Sequence, residues 1–161
     1  MKKSILSFWV LVLFLSLPIL AQNKALNIED YSRWSYIVGT ELSDDGNWMA
    51  YALRPNGGDD TLHVQALSGD KKYTIPNANS AAFSSDNQWV AYVITPDSET
   101  EKKLKKSKKP VHKTAELMNL TTGEKVQVER ANTMAFSNDA MFWMVHRKKP
   151  DEDDSKHKGS D

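Results

Sequence analysis

One ten-residue pattern recurs along this chain inside a longer unit, and it restricts the fold more than any other feature. Its first copy runs Leu42-Ser43-Asp44-Asp45-Gly46-Asn47-Trp48-Met49-Ala50-Tyr51. Its second runs Phe83-Ser84-Ser85-Asp86-Asn87-Gln88-Trp89-Val90-Ala91-Tyr92. A third, more worn copy runs Phe136-Ser137-Asn138-Asp139-Ala140-Met141-Phe142-Trp143-Met144-Val145. The first two copies lie 41 residues apart and the last two 53. The segments between them also match. Thr61 to Leu67 lines up with Thr114 to Leu120, each run leads into a glycine (Gly69, Gly123), and Tyr73 and Ile75 then align with Val126 and Val128. The 12 extra residues of the second unit therefore fall between Pro96 and Thr114.

The unit has a physical reading. Ser and Asp bond nearby backbone groups and Gly accepts positive φ, so Ser-x-Asp-Gly favours a tight turn. Asn87 can replace that glycine, but Ala140 cannot do so cheaply, which predicts a different turn in the third copy. After the turn, Trp48 and Ala50 point one way and Met49 and Tyr51 the other, all apolar. A strand apolar on both sides suits a sheet held between two neighbours. The next runs alternate more clearly, through Leu62, Val64 and Ala66 and then Tyr73 and Ile75. About four short strands per unit of this length, each sheet needing the next to cover it, describe propeller blades. A β-sandwich also uses short strands, but it has no reason to repeat an aromatic motif in phase. A β-helix repeats at shorter periods.

The expected fold is therefore all-β: an incomplete β-propeller of two to three four-stranded antiparallel blades. The blade repeats start near residues 43, 84 and 137. Strands are expected near 36–42, 47–54, 61–67, 71–76, 80–84, 88–95, 114–120, 124–129, 133–137 and 141–147. Trp48 and Trp89 should hold equivalent places in successive sheets. With few blades, the end faces lack neighbours, which predicts a loosely packed or aggregation-prone product when residues 22–161 are made alone.

Ahead of the blades, Lys2 and Lys3 precede an apolar run from Ile5 to Leu20 that ends at Ala21 and turns polar at Gln22. This is the layout of a secretory signal peptide over residues 1–21, and it implies export to the periplasm or medium. The run is short for a spanning helix and holds Pro18, so membrane attachment would arise only if it stayed uncleaved. Residues 22–35 are expected to form an N-terminal helical segment. Asn27 is placed to cap a helix over about 28–34, with Glu29 in its first turn and Asp30 as its capping-box partner. Ile28, Tyr31 and Trp34 would share a face and pack on a sheet edge.

The motif, a Leu or Phe followed by Ser-x-Asp-Gly-x-Trp-x-Ala-Tyr, resembles the repeat of TolB-like periplasmic propellers and of the prolyl oligopeptidase family of serine peptidases. The opening Ile28-Glu29-Asp30-Tyr31-Ser32-Arg33-Trp34, joined to Leu42–Tyr51, is more similar to secreted bacterial members of the peptidase family. The resemblance spans residues 26 to 161. It implies a propeller that gates peptide access to a C-terminal α/β-hydrolase domain with a Ser, Asp and His triad. The nucleophile pattern of such a domain, Gly-x-Ser-x-Gly, does not occur in these 161 residues. The expectation is the front end of a longer peptidase, not itself an enzyme, with peptides as the parent's substrates. The alternative is a TolB-like, non-catalytic module that binds protein partners through its propeller surface.

No catalytic, cofactor-binding or metal-binding residue is assigned, and no cofactor is expected. The sequence has no cysteine, which excludes thiolate chemistry and Cys-based zinc sites. Ser43, Ser84 and Ser137 recur with the turns, so turn closure explains all three, whereas a catalytic serine would not repeat. The segment Glu101 to Lys109 holds six lysines but no aromatic residue to stack a base. Together with a formal net charge of zero, this argues for a solvated insertion over 97–113 and against nucleic acid. Asp151-Glu152-Asp153-Asp154 beside His157 lacks the oxygen spacing and glycine of a calcium loop. His63, His112, His146 and His157 show no metal-binding spacing, and His63 reads as an ordinary strand position. Asp44-Asp45-Gly46 reads as a turn. Asn119-Leu120-Thr121 matches a glycosylation sequon but overlaps a strand and its turn.

Overall fold

A computed structural model describes residues 27–31 and 34–150. The expected signal segment at 1–21 and the acidic run at 151–154 with His157 lie outside them. The elements in order are α1 (Ile28–Tyr31), β1 (Ser35–Leu42), β2 (Trp48–Pro55), β3 (Thr61–Ala66), β4 (Lys72–Pro76), β5 (Ala78–Phe83), β6 (Trp89–Ile94), α2 (Ser98–Lys106), β7 (Lys113–Asn119), β8 (Lys125–Phe136) and β9 (Trp143–Arg147). They build two antiparallel sheets, ordered β1-β2-β3-β4 and β5-β6-β7-β8-β9. The all-β, blade-type fold is therefore the one observed.

The turn chemistry explains why the strands start where they do. The Ser43 hydroxyl donates to Asp45 Oδ1 (2.6 Å) and accepts from the Trp48 N–H (2.9 Å). Asp45 Oδ1 also accepts from the Asn47 N–H (3.0 Å). The Ser84–Asp86–Trp89 turn repeats this, with distances of 2.5 Å and 3.0 Å for the two serine bonds. The third copy departs from the sequence expectation. Ala140 takes the same left-handed conformation, φ 58°, as Asn87 at 58° and Gly46 at 68°. Ser137 still bonds Asp139 (2.6 Å) and the Phe142 N–H (3.0 Å). Those two bonds set the turn whatever stands at residue 140, and they outweigh the roughly 1 kcal/mol that a left-handed alanine costs.

Strand pairing puts Trp48 and Trp89 in equivalent places, each opening the second strand of its sheet. The core lies between the sheets. From blade 1 (β1–β4) come Ala50, Ala52, Leu62, Val64 and Ile75, and from the second sheet Ala78, Val90, Tyr92, Met118 and Leu120. Trp48 and Tyr73 pack on it, their rings stacked 6.2 Å apart. The Tyr73 hydroxyl crosses to the Leu120 carbonyl (2.9 Å).

Two further expectations change. The strands foreseen at 124–129 and 133–137 are one strand, β8. Its first half pairs with β7 and its second with β9, with a register break between Ala131 and Thr133. Arg130, at φ 58°, occupies the repeat position of Asn77, φ 59°, where β4 and β5 separate. The five-stranded sheet is thus blade 2 (β5, β6, β7 and the start of β8) running into the first two strands of blade 3. Helix α1 is shorter than foreseen. Its cap forms as expected, Asn27 Oδ1 accepting from the Glu29 and Asp30 N–H groups (3.0 and 3.1 Å). Its apolar side chains do not pack on a sheet edge, however: Ile28, Tyr31 and Trp34 are exposed. Asn56 tethers the segment instead, its backbone N–H donating to the Trp34 carbonyl and its side-chain Nδ2 to the Tyr31 carbonyl, so apolar contact is not what holds it.

Candidate functional site

The inner strands of the two blades carry matching irregularities. β1 shifts register between Val38 and Glu41, and β5 between Asn79 and Ala82. Gly39 (φ 60°) and Ser80 (φ 55°), one repeat apart, take left-handed backbone there. Such bulges bend a strand and re-aim its side chains. Beside them a cleft of about 290 Å³ opens between the blades, lined by Val38, Gly39, Arg54, Asn79, Ser80 and Lys113.

Arg54 closes β2 and grips Asp60 through both Nε (2.7 Å) and Nη2 (2.6 Å). Asp60 also accepts from Asn79 Nδ2 across the blade boundary (3.0 Å). The Arg54 hydrogen bond holds the Asp60 carboxyl below the usual range, and Asp60 in turn raises Arg54. Asp60 neutralises Arg54, so Lys113 leaves the cleft with a net positive charge. The cleft can hold a carbonyl or a carboxylate by hydrogen bonding and charge. Its lining contains no imidazole and no cysteine. None of its residues was singled out in the sequence. The available signal was the pairing of Gly39 with Ser80 at one repeat position.

A second polar cluster lies in the core between the blades. Glu116 is 2% exposed. It accepts from the Tyr92 hydroxyl and Gln127 Nε2, and it pairs with Lys125 Nζ at 2.9 Å. Burial alone would raise its pKa, but these hydrogen bonds and the Lys125 charge outweigh burial and hold it below the ordinary glutamate range. Tyr92 is pushed up, by burial first and then by its bond to Glu116.

The residues weighed in the sequence are dispersed. Ser43, Ser84 and Ser137 are turn closers, each bonded to the aspartate two residues on. His63 lies on β3 beside Tyr51, ring centroids 5.1 Å apart, with Nδ1 3.3 Å from Thr74 Oγ1. Asn119 Oδ1 is occupied by the N–H groups of Thr121 and Thr122, both at 2.9 Å. The lysine-rich insertion forms α2, between β6 and β7 where the repeat alignment put it. Asp97 caps it, accepting from the Thr100 N–H (2.8 Å). Acids fill its first turn and lysines its last, the polarity that a helix dipole favours. Among the described residues, no group of three or more His, Asp or Glu could hold a metal ion. No helix among them is long and apolar enough to cross a membrane.

No protein-family model matches the sequence, and no curated protein matches it either. Solved structures do match in shape. The β-propeller domain of the trilobed protease from Pyrococcus furiosus, described as having an open velcro topology, superposes with TM-score 0.53 at 17% identity, over 70% of this chain and 34% of that one. Acylaminoacyl peptidase from Pyrococcus horikoshii gives TM-score 0.54 at 15% identity, over 76% of this chain and 19% of its own. An acylaminoacyl peptidase bound to Z-Gly-Gly-Phe-chloromethyl ketone gives TM-score 0.54 at 16% identity, with the same coverage of 76% and 19%. The chain thus spans about a third of the first propeller domain and about a fifth of the other two chains. At these identities the match shows a shared β-propeller fold.

Proposed function

We propose that these residues are the first blades of the propeller of an exported peptidase of the prolyl oligopeptidase type. In that protein the propeller covers a hydrolase domain and restricts entry to peptides. The observation that carries this reading is the packing of blade 1 on blade 2, which superposes on propellers of peptidases. The opening segment Ile28–Trp34 joined to the Leu42–Tyr51 motif supports the same family. Chemistry would reside in the hydrolase domain, where a serine nucleophile, its base and an oxyanion hole are held together. The cleft between the blades, with Arg54 and Lys113, would meet the carbonyls and carboxylates of peptides that pass it. Residues 1–21 would direct export.

The test is made on the native protein. An antibody raised against blade 1 recovers it from periplasmic, secreted and cytoplasmic fractions of its source, and a serine-directed phosphonate probe is applied. The expected result is an exported, phosphonate-labelled protein much larger than this chain, with tryptic peptides from both the blades and a Gly-x-Ser-x-Gly segment. An unlabelled protein whose peptides contain blades alone would overturn the peptidase reading and favour a TolB-like binding module. Recovery from the cytoplasm alone would overturn export.

A further inference from the structure

The long connection between β6 and β7 is fixed at both ends on the rim of the cleft between the blades. At its start, the Ser98 N–H donates to Asp59 Oδ1 of blade 1 (2.8 Å), next to the Asp60 that holds Arg54 and Asn79. At its end, Lys113 lines the cleft itself. Helix α2 lies between these two points, so its charge is held beside the cleft. Residues 97–113 carry seven lysines and three acids. Glu99 and Glu101 pair with Lys103 and Lys105 within the helix, and Asp97 is engaged by Thr100 at the cap. Among the described residues, no carboxylate pairs with Lys102, Lys106, Lys108, Lys109 or Lys113.

The whole chain has a formal net charge of zero, so this excess is balanced elsewhere, and the topology says where. In antiparallel sheets the β1–β2, β5–β6 and β8–β9 turns lie at the end of the blades opposite the β2–β3 and β6–β7 connections. Those turns hold Asp44, Asp45, Asp86 and Asp139. They are joined from blade to blade, the Asp45 N–H donating to Asn87 Oδ1 (3.3 Å) and Ser85 Oγ to the Asn138 carbonyl (2.9 Å). The cleft lies toward the lysine-rich end. Its walls come from β1, β2, β5 and β7, so it does not depend on what packs against the outer faces of the two blades.

We propose that the cleft is a carboxylate site for acidic peptides, in which Lys113 pairs with a peptide carboxylate and the lysines of α2 steer acidic segments toward it. Lys113 is the charge that decides this, because Asp60 already neutralises Arg54, which serves as a wall. An unpaired ammonium in a cleft favours a carboxylate over a neutral carbonyl. The floor is open to a ligand: a Cβ added at Gly39 would meet no atom within 4 Å. Gly39 and Ser80 have no Cα partner on β2 and β6, and the ladder is disrupted at such bulges, so backbone groups there can turn to a bound peptide. A volume of about 290 Å³ is at the lower bound of small-molecule sites, roughly 300 Å³, which suits one acidic side chain or one chain end. Fixed charge on the rim raises the rate of encounter, and a direct ion pair slows departure. The inference needs only the two blades and the insertion, and it holds whether the propeller serves a peptidase or a binding module.

Surface plasmon resonance on the protein purified from its source tests it, after phosphonate treatment so that no peptide is cleaved. The immobilised probes are short peptides of one sequence, with Glu or Gln at the centre and a free or an amidated C-terminus. Each peptide with a carboxylate should bind about tenfold or more tightly than the amidated Gln peptide. Binding of the amidated Glu peptide assigns the site to a side-chain carboxylate, and binding of the free-acid Gln peptide assigns it to the chain end. Lys113→Met keeps the side-chain stem, loses the charge and should abolish the preference, chiefly through faster dissociation. Lys113→Arg should retain it. Lys102→Gln with Lys106→Gln should lower the association rate several-fold and leave dissociation unchanged. Lys113 is exposed, so its variants should keep the fold, which strand circular dichroism checks. Equal binding of charged and neutral peptides overturns the proposal, and that comparison on the parent protein needs no variant. So does a preference that survives Lys113→Met but disappears with Lys102 and Lys106, which would mean that diffuse charge carries it. Failure of the peptidase reading shows separately, as an absence of phosphonate labelling, and leaves the binding result standing.

Discussion

Tyr51 faces His63 across β2 and β3, and Tyr92 faces Glu116 across β6 and β7, at the same register of their blades. The fourth strand adds Thr74 in blade 1 and Gln127 in blade 2, and Lys72 and Lys125 also match. The four positions are alike, yet their surroundings differ. Blade 1 leaves its set open, and there the tyrosine and imidazole lie loosely together, with one contact to Thr74. Blade 2 has blade 1 against it, and there Glu116 engages Tyr92, Gln127 and Lys125 at once. Cover decides what a polar residue at this register needs. Under a neighbouring sheet, an unpaired carboxylate or hydroxyl loses water without replacement. On an open face, water supplies whatever the protein does not.

The largest way to break this comparison is to remove the covered acid. Glu116→Ala strands the Tyr92 hydroxyl in the core, leaving it only Met118 Sδ at 3.9 Å. It also removes the partner of Lys125, whose side chain is partly solvated and so recovers some of the loss in water. A loss of about 2–3 kcal/mol follows, read from urea unfolding. Glu116→Gln keeps an acceptor for Tyr92 and should lose only about 1 kcal/mol. His63→Ala, the same operation on the open face, should stay within about 0.5 kcal/mol. Equal losses at 63 and 116 would mean that cover is not what separates the two sites. Glu116 is held below its ordinary pKa of 4.5 when folded. Its contribution is therefore complete above that pH and disappears as pH falls through the folded value, and Glu116→Gln should lack this acid-side loss.

The contrast between the blades also marks what the sequence could disclose. Ser43, Asp45 and Trp48 act on their own neighbours, and that local chemistry recurs in phase, so turns, strands and the site of the insertion were legible. Glu116 and Gln127 were not, because their meeting depends on register between β7 and β8. The exposure of Ile37 against the burial of Ala78 was not legible either, since it depends on which blades are present. The fusion of 124–129 with 133–137 into β8 was missed because a left-handed Arg130 need not end a strand. The cleft was missed because Arg54, Asp60, Asn79 and Lys113 come from four separate stretches of chain, and none carries a motif.

A smaller test uses the turns, which the blades share whatever covers them. Gly46→Ala would force alanine into the left-handed region and should cost about 1 kcal/mol. Ala140→Gly relieves the same strain in the third copy. Its gain should be smaller, about 0.5 kcal/mol, because glycine also loosens the unfolded chain. Urea midpoints moving in opposite directions for the two variants would support one shared turn. A loss of stability in Ala140→Gly would mean that the third turn is set by something other than its Ser137 and Asp139 bonds.

The smallest expected effect returns to the open face and concerns His63. Partial burial, and then the Lys72 charge, hold its pKa below the ordinary 6.5. The unfolded chain therefore takes up a proton at this residue before the folded chain does, and stability must fall as pH drops through that window. The contribution of neutral His63 is complete above about pH 6.5 and is lost as pH falls through its folded pKa. At Glu116 the corresponding loss starts lower, below the glutamate range, so the two faces of the blade system should respond to acid in sequence, the open one first. Urea midpoints taken from about pH 7 to pH 5, at a concentration where the chain is monomeric, isolate the first step. In His63→Gln the slope over that window should flatten, while the acid-side loss assigned to Glu116 remains. An unchanged slope would mean that water solvates the imidazolium on this face as well as it does in the unfolded chain, and that the open face is more open than its half-buried histidine implies.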